Sequence, residues 1–141
     1  MSTLQKRALY SLILGAILAI TLVVVFVTKD VYTFDEDLSF RLIVYALWIA
    51  VPLVYLVTVN PILKKRDMVD ERDKLILERA PKVQWLAVIF SLVAWVIVLT
   101  ESFGDKGEVP VIFLTLIIIS TLIISTLAQA LGILIGYWAR R

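Results

Sequence analysis

Four long apolar runs alternate with short polar segments along the chain. They cover roughly residues 8–28, 40–60, 82–100 and 109–138. Each is near or above the roughly 20 residues that a helix needs to cross the hydrocarbon of a bilayer. The runs are continuously apolar rather than alternating, which points to helices and away from a membrane barrel. In lipid a helix satisfies its own backbone groups, and an open strand does not. The pattern predicts an all-α membrane protein, a bundle of four transmembrane helices in a single domain spanning 1–141. A charged loop over 61–81 joins the second and third spans. Lys6 and Arg7 precede the first run, which is about twice the length of a typical signal-peptide core. It reads as a retained signal anchor.

Composition sharpens this picture. The chain has 141 residues, 61% of them hydrophobic, with a mean hydropathy of +0.96. A soluble domain is about 45–50% apolar by a similar count, so lipid is expected to cover much of this surface. Cysteine and histidine are absent. That removes disulfides, thiolate chemistry, the commonest general base and the commonest metal ligand. No cofactor or metal site is expected, and no nucleic-acid partner.

Charge then orients the bundle. Of the fourteen Lys and Arg residues, eleven fall at the N-terminus, in the 61–82 segment or at the C-terminus. Lys29, Arg41 and Lys106 lie on the other side, among acidic loops. Positive charge concentrates in the cytoplasm, so both termini and the central loop are expected inside a cytoplasmic (inner) membrane. Lys64, Lys65 and Arg66 form a cluster suited to anionic lipid headgroups. Trp85, Tyr137 and Trp138 sit near the expected inner interface, where aromatic belts form. At the outer surface, Arg41 can snorkel, or pair with Asp37 or another acidic loop residue.

Several helix faces carry small or polar residues. Ser11, Gly15 and Ala19 recur every four residues in the first span. Thr121, Ser125 and Gln129 do the same in the fourth, which ends in a Gly132-x-x-x-Gly136 step. Small residues let backbones approach in lipid, and hydroxyl or amide groups can bond across helices. Packing within the chain is the plainest reading, with homo-oligomerisation or partner docking as the functional one. Pro52 in the second span removes a backbone donor and favours a kink.

The densest polar chemistry lies in Asp70-Glu71-Arg72-Asp73-Lys74-Leu75-Ile76-Leu77-Glu78-Arg79-Ala80. Acids at its start suit a helix N-terminus, with Asp70 as the cap. A short amphipathic helix is expected here, with Ile76, Ala80 and Val83 on one stripe. It would end at a joint near Ala80, because Pro81 suits the first turn of the next helix. Asp70, Glu71, Arg72, Asp73 and Ile76 form the candidate docking segment for a cytoplasmic partner. The bland alternative is a solvated connector.

This segment also resembles a group of small prokaryotic membrane proteins of uncharacterised activity. Their pattern looks like D-E-R-D/E-x-x-I-x-x-x-A/G ahead of a transmembrane helix, and the chain departs from it at Pro81. The resemblance covers some 25 residues and the general layout. It implies about four spans and a cytoplasmic loop, and no particular reaction.

Three function classes follow. The first is a non-enzymatic interaction, accessory or regulatory membrane protein acting through helix packing and the charged loop. The second is a small transporter or channel, including export and immunity roles; the lack of any ionisable residue at mid-membrane depth argues against it. The third is a lipid-active enzyme. It would need an all-carboxylate magnesium site, for which no signature is present.

Overall fold

The computed structural model describes residues 3–29, 36–64 and 71–139. They form four helices: α1 (Thr3–Thr28), α2 (Leu38–Lys64), α3 (Glu71–Phe103) and α4 (Ile112–Trp138). Three of these, α1, α3 and α4, are long and apolar enough to cross a membrane. In α2 the apolar stretch found among the described residues is Leu38–Val54.

α4 is the centre of the bundle. It packs on all three other helices, most extensively on α3 and then on α1. Its sequence explains the position. In its most apolar stretch 44% of residues are buried, against 17% for α1 and 6% for α3. Alanine, glycine, serine and threonine on several faces let neighbours come close all round it. α3, by contrast, carries large side chains on nearly every face, and Trp85, Leu86, Phe90, Val93 and Ile97 are exposed. Apolar surface this continuous suits lipid rather than water.

The α3–α4 pair is antiparallel along its whole length. Arg72 and Asp73 meet Tyr137, Ile76 meets Gly136 and Ala80 meets Gly132. Gln84 then reaches Ser125, Trp95 reaches Ser120, and Phe103 packs on Phe113. α1 also runs antiparallel to α4. Leu4 and Ala8 join a buried cluster with Ile133 and Tyr137, and Leu22 joins one with Leu116 and Ile119.

At the opposite end, two edge-to-face ring pairs close the bundle. Phe26 and Phe40 lie 5.4 Å apart, and Phe103 and Phe113 lie 5.1 Å apart. Such pairs contribute about 0.5–1.5 kcal/mol beyond their burial. Asp37 caps α2 there, its Oδ1 accepting from the Ser39 and Phe40 amides at 3.0 and 3.3 Å. Its other oxygen pairs with Lys29 at 3.0 Å. Asp37 therefore serves both Lys29 and the helix start. In the α3–α4 turn Gly107 takes a φ of +70°, a conformation that costs a side-chain-bearing residue more than glycine.

One expectation is corrected. The separate loop helix, with a joint near Ala80, is instead the first part of a single 33-residue helix that runs through Pro81. Proline inside a helix costs about 3 kcal/mol or more, and burial around it opposes that cost. Ile76 and Ala80, each only 1% exposed, are pressed against α4 just before the proline. A bend at Ala80 would pull both from that seat.

Candidate functional site

The charged start of α3 and the end of α4 form one assembly. Glu71 and Asp73 lie in the first turn of α3, where the helix dipole favours acids. From that turn Arg72 reaches α4: its Nη2 donates to the Tyr137 carbonyl oxygen at 3.2 Å. Its guanidinium lies 5.4 Å from the centre of the Tyr137 ring, within range for attraction to the ring face. The Tyr137 hydroxyl donates to Asp73 Oδ1. Tyr137 is thereby gripped at both its backbone and its phenol, and is only 4% exposed.

One turn further on, Ile76 lies over Gly136. A Cβ at Gly136 would come within 2.9 Å of the Ile76 side chain. Another turn on, a Cβ at Gly132 would lie 3.3 Å from the Ala80 Cα. The two glycines are a seat for α3. Leu4 and Ala8 of α1 complete the cluster.

The docking segment expected from the sequence is thus divided. Arg72, Asp73 and Ile76 are engaged within the chain, and Asp70 lies outside the described residues, as do Lys65 and Arg66. Glu71, Lys74, Glu78 and Arg79 remain exposed. They form the outward side of a helix whose inward side is fixed.

The other small and polar residues also sort by neighbour. Gly15 faces α4, where an added Cβ would meet Leu127 at 2.9 Å and Thr126 at 3.7 Å. Ser11 is buried, and Ala19 packs on the cluster of Leu22, Leu116 and Ile119. Gln129 and Ser125 are buried in α4. Ser125 accepts a hydrogen bond from Gln84 Nε2 of α3. Thr121 lies at the edge of a cleft between the two helices.

Two participants were not visible as such in the sequence. Tyr137 had the look of an interface ring, and only its burial reveals the clasp. Gln84 was available as a signal, since it is an amide within an apolar run beside Trp85. Among the described residues, no three acidic side chains converge as a cation site would require.

The assembly defines an all-helical bundle of apolar helices compatible with a membrane. Compared with protein-family models, curated proteins and solved structures, the chain matches none.

Proposed function

We propose that the chain is a multi-pass protein of the cytoplasmic membrane acting as a non-enzymatic accessory or regulatory partner. In this reading all four helices cross the bilayer, with both termini and the start of α3 in the cytoplasm. The charge asymmetry supports the orientation. The likeness to small prokaryotic four-span proteins supports the same layout. The residues before α3, with Lys64, Lys65 and Arg66, meet anionic headgroups.

One observation carries the functional reading. The start of α3 is fixed to α4 by Arg72, Asp73, Ile76 and Ala80, while Glu71, Lys74, Glu78 and Arg79 stay exposed. A connector needs only solvation. A fixed charged face is preorganised, so a partner binding there loses less conformational entropy. The glycine faces are occupied within the chain, which leaves this face, rather than the G-x-x-x-G step, as the contact surface for another protein.

The test uses full-length protein extracted in mild detergent. Lys74→Glu combined with Arg79→Glu should remove a stoichiometric partner while leaving the melting temperature unchanged, because both side chains are exposed. A complementary charge reversal on the partner should restore the complex. Equal recovery of the partner with the double variant would refute docking at this face. For topology, Cys at Asp105 should label from outside intact cells and Cys at Lys74 should not; the reverse pattern would invert the orientation.

A further inference from the structure

The cleft between α3 and α4 has a volume of about 380 Å³ and is lined by Gln84, Trp85, Val88, Thr121, Leu122 and Ser125. Its chemistry is mixed in an ordered way. Val88 and Leu122 are apolar, Gln84 and Ser125 are joined by a hydrogen bond, and Trp85 stands at the lip, 68% exposed.

Thr121 is the unexplained member. A helical threonine usually satisfies its hydroxyl on the carbonyl one turn back. Thr126 does so with Leu122. At Thr121 the corresponding carbonyl, that of Ile117, already accepts from Ser120 at 3.1 Å. The Thr121 Oγ1 is buried and has no hydrogen-bond partner among the described residues. In a membrane no water stands ready to fill that role.

Depth and charge select an occupant. This step rests on the membrane reading above. Lys82 is the last charged residue before the apolar stretch of α3 and is exposed. Gln84 lies only ~3 Å further along the helix axis, and Thr121 lies another ~6 Å inward along α4 from Ser125. The cleft therefore begins where headgroups give way to acyl chains. Lys82, two residues before Gln84, is the exposed cation nearest its aqueous end along α3, and Glu78 lies farther toward the cytoplasm. A ligand matching this order carries an anionic phosphate, then ester carbonyls that accept hydrogen bonds, then an alkyl chain.

We infer that this cleft is a binding site for one anionic glycerophospholipid of the inner leaflet. Its phosphate meets Lys82 and its ester carbonyl accepts from the Thr121 hydroxyl. Its acyl chain lies along Val88 and Leu122 beneath the Trp85 ring. Gln84 and Ser125 form the polar floor that holds the two helices at the spacing the lipid needs.

Trp85 supplies the probe. Full-length protein is reconstituted into phosphatidylcholine vesicles containing increasing fractions of phosphatidylglycerol, brominated on an acyl chain near its ester. Quenching at Trp85 is the difference between the wild type and Trp85→Phe. That quenching should saturate well below equal lipid fractions, with a preference of about fivefold over brominated phosphatidylcholine, the upper end of what one exposed ion pair gives. Lys82→Gln should reduce the preference toward unity; Thr121→Val should weaken quenching by either brominated lipid, since each carries the ester carbonyl, without changing the preference. Both leave the Gln84–Ser125 bond in place, and an unchanged melting temperature verifies their fold. Quenching proportional to the lipid fraction in the wild type would overturn the site. So would a preference unaltered by Lys82→Gln, or quenching unaltered by Thr121→Val. Flotation with the vesicles is scored first; failure to float would refute the membrane reading itself and the inference with it.

Discussion

Leucine at position 132 tests the α3–α4 seam directly. A Cβ there would meet the Ala80 Cα at 3.3 Å, the Val83 Cβ at 3.5 Å and the Ala80 Cβ at 3.6 Å. The nearest atom is backbone, so no side-chain rotation can make room. Alanine alone asks the helices to part by a few tenths of an ångström, and its better helix propensity, about 1 kcal/mol over glycine, offsets much of that. Leucine adds three more carbons beyond the Cβ. Overpacking of this kind costs about 1–3 kcal/mol. Relief requires α3 to move off α4, which would also loosen Ile76 on Gly136 and the clasp on Tyr137. Gly132→Leu and Tyr137→Phe should therefore be non-additive, with a coupling of about 1 kcal/mol. The assay is equilibrium unfolding of the single and double variants in mixed micelles, followed by tryptophan fluorescence. If Gly132→Leu unfolded like the wild type, α3 would not be seated on the glycine. Strict additivity would mean that the clasp and the seat are separate.

Two further outcomes follow from named contacts. Tyr137→Phe removes the hydroxyl donated to Asp73; since that carboxylate is partly exposed, the loss should be about 1 kcal/mol in the same unfolding assay, and no loss would show that the phenol contributes only its ring. At the other end of the bundle, the hydrogen bond from Lys29 and the amides of Phe40 and Ser39 hold the Asp37 carboxyl below its ordinary 3.8. A carboxyl with a lowered folded-state pKa contributes stability that is complete above the unfolded value and disappears as pH falls through the folded one. The difference in melting temperature between the wild type and Asp37→Asn should thus be constant above pH 3.8 and shrink below it; a gap that persists on acidification would remove the ionised Asp37–Lys29 pair as its source.

The long helices were legible because unbroken hydrophobicity has few alternatives. The expected run of 109–138 corresponds to Ile112–Trp138, and 8–28 lies within Thr3–Thr28. Small residues were legible as contact faces, since Gly15, Gly132 and Gly136 all meet neighbouring helices. Their partners were not legible, because a four-residue spacing names a face and not what covers it. The internal contacts of the docking segment were hidden for a related reason. Exposed and clasped arginines look alike in sequence, and only the antiparallel register of α3 on α4 brings Arg72 and Asp73 to Tyr137. Gln84 and Thr121 show the same limit, since neither gains meaning until the helices set them on one cleft.

Pro81 shows why the continuous α3 is physically reasonable. A proline at this position deprives the Leu77 carbonyl of its helical donor. Deep in hydrocarbon that carbonyl would need a partner from the protein. Pro81 is exposed and lies just before Lys82, at the level where the charged third of α3 gives way to its apolar stretch. In the proposed orientation water and headgroups are available there to serve as donors. The proline therefore falls at a depth where a lost helical bond is least costly, and where Ile76 and Ala80 on α4 oppose the bend it would otherwise cause. The rule that a proline opens a new helix fails here because neighbouring packing and the surrounding solvent both relieve the strain that the rule assumes.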